Sequence, residues 1–208
     1  MKCPEGAAHK RFLTPFPAAA IGYLSRICPE KGLDQLAEAF RLLAGRKHLP
    51  PMRLAAAGYL DPADRPYLDR IKSQLASWGL ADRFDHVGEL DRAAKIDFLQ
   101  SLDVMSVPAV HAESKGLAVL EAWASGVPVV LPDRGAFSEL VRDTGGGLLV
   151  EPNSPPALAD ALERMIARPA FASECGRRAQ EAVRERYHAP LMAQRTIELY
   201  RAVRERRT

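Results

Sequence analysis

Glu113 and Glu121 stand in one short stretch, Ser106 to Gly126, with seven residues between them. Between them Gly116 opens an apolar helix, expected to bury Leu117, Leu120 and Ala124, and Glu121 rides on it. A helix start offers backbone N–H groups without intrahelical partners, and the positive end of the helix dipole favours an anion there. A carboxylate set among apolar residues, as Glu121 is between Leu120 and Ala122-Trp123, calls for a partner. Upstream, Arg26 and Lys31 flank a turn, with Gly32 and a helix start directly behind. Arg presents a bidentate fork and Lys a mobile point charge, and the two together suit a diphosphate. N–H donors and cations for phosphate, with carboxylates for hydroxyl groups, describe a pocket for a nucleotide sugar.

Each of these residues also has a plainer reading. Arg26 and Lys31 taken as an isolated pair read better as solvated surface charges, and lone glutamates are usually the same. Glu121 serves equally well as a satisfied structural carboxylate. The spacing of Glu113 and Glu121 in sequence does not give their separation in space, so glycosidase geometry cannot be applied to them. His111 is the one histidine near the stretch, and it reads as a loop residue. There is no nucleophile elbow, no P-loop and no GxGxxG fingerprint. Asp61 and Asp64 read as turn and cap residues, and no metal site is expected. Cys3, Cys28 and Cys175 lack metal-ligand spacing and do not suggest a disulfide framework, so a reducing cytoplasm is the expected setting.

The elements that must position these residues alternate. Apolar runs at Ala19–Leu24, Arg53–Ala57, Phe84–Val87, Val104–Val107, Val127–Leu131 and Gly147–Val150 predict six strands. Between them lie helices: one from Leu33 with Leu36, Ala37, Phe40 and Leu43 on one face, and one from Asp61-Pro62 to Trp78. A third is capped by Asp91 and ends near Leu102, the fourth carries Glu121, and a fifth spans Ala136–Arg142. After Val150 three helices follow without strands, the first opened by Pro155-Pro156 and the others over 170–187 and 190–206. The pattern predicts an α/β, Rossmann-like parallel sheet of about six strands, helices on both faces and the C-terminal helices outside. Such sheets bind ligands beyond the carboxyl ends of their strands, where the strand order reverses. Arg26, Gly88 and Glu113 each follow a strand. Residues 1–19, with Pro4, Pro15 and Pro17, read as a linker or arm, and 20–208 as the ligand-binding domain.

At 208 residues with 47% hydrophobic and 26% charged residues, the chain can bury a sizeable core. A net charge of +3 with interleaved signs does not suggest a nucleic-acid binder. No signal peptide or membrane-spanning window is visible, while peripheral membrane contact stays open.

Four segments carry a resemblance: RICPEKGLDQLAEAF, HVGELD, SLDVMSVPAVHAESKGLAVLEAWASGVPVVLPDRGAFSEL and TGGGLLVEPNSPPALADAL. Together, over about residues 20 to 205, they resemble the C-terminal domain of glycosyltransferase family 4, the group 1 glycosyltransferases, one half of a GT-B fold. The resemblance implies a domain that binds a UDP-, GDP- or ADP-sugar in a retaining transfer that needs neither metal nor cofactor. It implies that Arg26 and Lys31 hold the donor diphosphate and stabilise the departing nucleotide, and that Glu113 contacts the transferred sugar. It gives Glu121 the ribose hydroxyls, sets Lys115, Gly116 and Leu117 against sugar and phosphates, and puts Leu90 in the base pocket. Two departures stand out. Lys115 occupies a position where the family commonly has an aromatic, and the family's fold has a second, N-terminal half that supplies the acceptor site. The expected activity of this half alone is weak or absent. The alternatives are a stand-alone nucleotide-sugar-binding or interaction module and, less well matched, a nucleotide-sugar epimerase, which would also need two domains.

Overall fold

The computed structural model describes residues 19–205. The arm expected over 1–19 therefore lies outside the described residues, except for Ala19, which opens the first strand. Six strands alternate with helices: β1 (Ala19–Leu24), α1 (Leu33–Ala44), β2 (Met52–Ala57), α2 (Arg65–Ser77), β3 (Phe84–Gly88), α3 (Arg92–Gln100) and β4 (Val104–Met105). Next come α4 (Leu117–Ala124), β5 (Val129–Pro132), α5 (Ala136–Thr144) and β6 (Gly147–Val150), then α6 (Pro155–Ala167), α7 (Pro169–Arg186) and α8 (Ala189–Glu205). All strands run parallel, in the order β3-β2-β1-β4-β5-β6.

The expected local signals operate. Within β1 every residue from Ala20 to Leu24 is buried, as befits a central strand covered on both faces. The predicted face of α1, including Leu36, Phe40 and Leu43, is fully buried. Asp91 caps α3 by accepting the Ala94 amide at 2.8 Å. Asp61 caps the short 3-10 turn ahead of α2 by accepting the Ala63 amide at 2.9 Å. α1 packs against α2 and α6, whereas α4 and α5 pack against α7, so the sheet is covered on both sides. Of the C-terminal helices, α6 and α7 bury apolar residues and α8 buries none.

Three expectations need correction. β4 stops at Met105 instead of Val107. The Ser106 amide still reaches the Gly22 carbonyl at 2.9 Å, but Pro108 has no N–H for the ladder and the Ala109 amide turns back to Val107. β5 starts at Val129 instead of Val127, because the Val127 amide closes the end of α4 on the Ala122 carbonyl at 2.9 Å. The buried face of α4 is Val119, Ala122 and Trp123 instead of Leu117, Leu120 and Ala124. Trp123 sets that phase: it is fully buried and its indole N–H donates to the Gly146 carbonyl at 2.9 Å.

Candidate functional site

β1 and β4 are neighbours in the sheet, and the strand order reverses between them. The connections leaving their carboxyl ends carry the expected site residues. Arg26 and Lys31 follow β1, and Glu113 to Gly116 follow β4. Two close backbone approaches join the connections. Gly32 has φ +70°, and a Cβ built there would lie 2.0 Å from the Pro108 carbonyl oxygen. The Val110 amide donates to the Glu30 carbonyl at 2.9 Å.

This backbone arrangement delivers Lys31 to Glu113. The ammonium lies 2.5 Å from Glu113 Oε2, and both side chains are mostly buried. Glu113 Oε1 accepts the Ser114 amide at 3.1 Å, and the Lys115 amide stands at 3.5 Å from the same oxygen. Burial pushes the Glu113 carboxyl up, but the Lys31 hydrogen bond and charge, aided by the two amides, outweigh it and hold it below the ordinary glutamate range. The Glu113 main chain is clamped as well. Its carbonyl accepts the Ala136 amide at 2.8 Å, and Gly135, at φ +57°, lies so close that a Cβ would come within 2.6 Å of that carbonyl oxygen.

Beyond Glu113 the chain turns through Gly116 in the left-handed region (φ +66°) and enters α4 with no side-chain cap. The Val119 and Leu120 amides both return to the Gly116 carbonyl. Among the described residues, the amides of Gly116, Leu117 and Ala118 have no acceptor. These open donors and the helix dipole begin three residues after Glu113, the carboxylate that Lys31 holds. Leu117, the first residue of α4, is 63% exposed.

Glu121 lies one turn further along α4. It is not the buried carboxylate its neighbours in sequence suggest: its side chain is 43% exposed and forms an ion pair with Lys95 of α3. Sequence reasoning missed Lys95. Its one visible signal is its place in the first turn of α3, directly behind the Asp91 cap, and its partner is 26 residues away. Leu90, half-buried against the core, immediately precedes that cap.

The remaining candidates are less engaged. The Arg26 side chain is exposed and makes no hydrogen bond or ion pair among the described residues, although the Tyr23 hydroxyl anchors its carbonyl at 2.7 Å. Thus the structure brings Lys31, Glu113 and the start of α4 together, and leaves Arg26 at the rim. The Lys115 side chain points out unpaired among the described residues, and His111 is exposed. Cys28 and Cys175 are buried thiols pushed up by that burial. Among the described residues, no group of three or more His, Cys, Asp or Glu is placed to hold a metal ion.

An open six-stranded parallel sheet with helices on both faces, its strand order reversing between β1 and β4, defines a Rossmann-like α/β domain. More narrowly, the chain belongs to the Glycosyl transferases group 1 family, whose sequence pattern matches residues 9–182. It is similar to the lipopolysaccharide core biosynthesis mannosyltransferase LpsB of Rhizobium meliloti, at 34% identity over 174 residues, 76% of this chain and 48% of that one. It is also 33% identical over 135 residues to the phosphatidyl-myo-inositol mannosyltransferase of Mycobacterium leprae, covering 65% of this chain and 35% of the relative. Among solved structures, sucrose-phosphate synthase from Thermosynechococcus elongatus superposes with TM-score 0.79 at 29% identity, over 90% of this chain and 46% of that one. The C-terminal domain of a group 1 glycosyl transferase, LpcC of Francisella tularensis, superposes with TM-score 0.73 at 25% identity, over 82% and 87% of the two chains. The chain spans half or less of the length of the curated relatives named here. The fold is that of one GT-B half.

Proposed function

We propose that the chain is the donor-binding half of a retaining glycosyltransferase that moves a hexose from a nucleoside diphosphate sugar to an acceptor. The observation that carries this reading is the Lys31–Glu113 pair, 2.5 Å apart, set against the uncapped start of α4. Relatives named as mannosyltransferases support a sugar-transfer role. The Anabaena protein HepE, which shares the fold at TM-score 0.80 and 23% identity, is solved with UDP, and a nucleotide sugar is the donor proposed here.

In this reading the donor diphosphate lies between Arg26, Lys31 and the open amides of Gly116, Leu117 and Ala118. As the sugar–phosphate bond breaks, negative charge grows on the departing nucleoside diphosphate, and fixed donors already aimed at it lower the barrier. An ammonium has three donors, so Lys31 keeps Glu113 in place while donating to phosphate. The free lone pairs of Glu113 accept from the transferred sugar, and Glu121 accepts from the ribose. Leu90 and Leu117 supply apolar walls for base and sugar. Lys31, held by Glu113, the helix end and the exposed Arg26 at the rim do the work a divalent ion does elsewhere, so chelation with EDTA leaves nucleotide binding unchanged.

The acceptor site belongs to an N-terminal half, so the chain by itself binds nucleotide and transfers little. The test is a thermal-shift panel of UDP, GDP and ADP, followed by a transfer assay with and without an added N-terminal GT-B half. A ligand that binds only the folded chain raises its melting point. A rise with one nucleotide, and transfer restored by the added half, is the expected result. No rise with any of the three overturns the donor-site reading, and binding without restored transfer turns it into that of a non-catalytic module.

A further inference from the structure

Glu113 and Glu121 are acidic groups in a crevice proposed to take a dianionic diphosphate, and bare carboxylates would repel it. Each of them is met by a lysine from a different element. Lys31 comes from the β1–α1 connection and Lys95 from α3. Lys31 already has a role toward phosphate; Lys95 has none. Its backbone is fixed, because the Lys95 amide donates to the Asp91 carbonyl at 2.9 Å while the Asp91 side chain caps the same helix. Its side chain is 29% exposed and ends on Glu121 Oε1. Among the described residues no other hydrogen bond or ion pair reaches the Glu121 carboxylate, so Oε2 is left for a ligand.

From this arrangement we infer that Lys95 is a positioning residue of the donor site: it holds Glu121 in the rotamer that grips a vicinal diol and cancels its charge beside the diphosphate. The inference rests on the donor-site reading above. A glutamate on a helix surface is otherwise free to sample several rotamers, and pinning one oxygen removes most of that freedom before the ligand arrives. Because Lys95 and Leu90 flank the same Asp91 cap, the pair also ties the carboxylate to the segment that carries the proposed base wall. Lys95 thus links the base and ribose ends of the nucleoside site without occupying either.

The experiment compares UDP, GDP and ADP with their 2′-deoxy counterparts by calorimetry on the 208-residue chain. The variants are Lys95→Met, Lys95→Arg, Glu121→Gln and Lys31→Met. The wild type is expected to prefer the ribonucleotide by roughly tenfold, the size of a hydrogen bond to a charged group. In Lys95→Met and in Glu121→Gln that preference collapses toward unity, and in Lys95→Arg it is largely restored. In Lys31→Met overall affinity falls and the preference survives. A structural role for Lys95 would lower both affinities together and leave their ratio alone. If Lys95→Met proves unstable, the folded Lys95→Arg and Lys95→Gln chains give the same comparison of ratios. A wild type that discriminates, with a ratio unchanged in the Lys95 variants, overturns the assignment of Lys95 alone. A wild type that binds none of the nucleotides overturns the donor site and this inference with it.

Discussion

The Lys31 ammonium lies 2.5 Å from Glu113 although 82 positions separate the two in sequence, so one ion pair joins the connections that follow β1 and β4. Removing the cation leaves a mostly buried carboxylate facing the space proposed for phosphate. Lys31→Ala should therefore weaken nucleoside diphosphate binding by at least ~1.5 kcal/mol, the size of one charge-assisted hydrogen bond. Arg26→Ala, which removes an unpaired cation at the rim, should act in the same direction without destabilising the fold. Adding Glu113→Gln to Lys31→Ala should recover part of the loss, because the unpaired charge goes with it. Calorimetry with UDP, GDP and ADP reads all three. Wild-type affinity in both single variants would show that the diphosphate does not sit there.

The same pair has a pH signature. Burial raises the Glu113 carboxyl, but the Lys31 hydrogen bond and charge and the neighbouring amides win, and the group sits below the ordinary glutamate value of 4.5. A carboxyl whose pKa falls on folding stabilises the folded chain above its unfolded-state pKa and loses that contribution as pH drops through the folded value. In Lys31→Met the hydrogen bond and charge that hold the carboxyl down are gone, and burial moves the Glu113 pKa upward. The stability gap between wild type and Lys31→Met should then be full at neutral pH and narrow below about pH 4.5. Urea unfolding across pH, with the Glu113 carboxyl carbon followed by NMR, measures both. A gap independent of pH would mean that the pair is not formed in solution.

Three glycines with nearly the same positive φ make an internal series. Gly32, Gly79 and Gly116 have φ of +70°, +71° and +66°. A Cβ at Gly79 meets nothing within 4 Å, at Gly116 it meets a Leu140 methyl at 2.7 Å, and at Gly32 it meets the Pro108 carbonyl oxygen at 2.0 Å. Each alanine carries the left-handed cost of ~1–2 kcal/mol. Gly79→Ala should show that cost alone and Gly116→Ala somewhat more, since the Leu140 side chain can yield. Gly32→Ala should cost the most, at least ~3 kcal/mol, because a backbone carbonyl cannot move aside without opening the site. Denaturant midpoints rank them, and equal losses at all three would remove the argument that Gly32 holds the two connections together.

The sheet was legible because most of its strands are apolar runs between turn residues, β3 with Asp85 and His86 being the exception, and α1 because its buried residues repeat at helical spacing. The phase of α4 was not legible. Nearly all its positions are apolar, so Leu117-Leu120-Ala124 and Val119-Ala122-Trp123 fit the helical period equally well, and only the Trp123–Gly146 contact decides between them. The Lys31–Glu113 and Lys95–Glu121 pairs and the Gly32–Pro108 approach depend on tertiary placement, on which local periodicity says nothing. Lys31, Glu113 and Glu121 could still be singled out because residue type limits chemistry. Lys95 carries no such mark, because a lysine in the first turn of a helix is ordinary.

That ambiguity of phase yields a final test, because the two faces of α4 should separate stability from binding. Leu117 is 63% exposed beside the open amides of the helix start, whereas Val119, two residues on, is fully buried. Leu117→Ala removes little buried surface and should change stability by no more than about 0.5 kcal/mol. If the donor sugar lies against that side chain, the same substitution weakens binding of a nucleotide sugar several-fold more than binding of the matching nucleoside diphosphate. Val119→Ala should do the reverse, costing about 2 kcal/mol of stability from lost burial and the cavity left behind, with affinity in the folded chain unchanged. Thermal unfolding and calorimetry on the same two variants give the comparison. A Leu117→Ala chain with undiminished preference for the nucleotide sugar would move the sugar away from the start of α4.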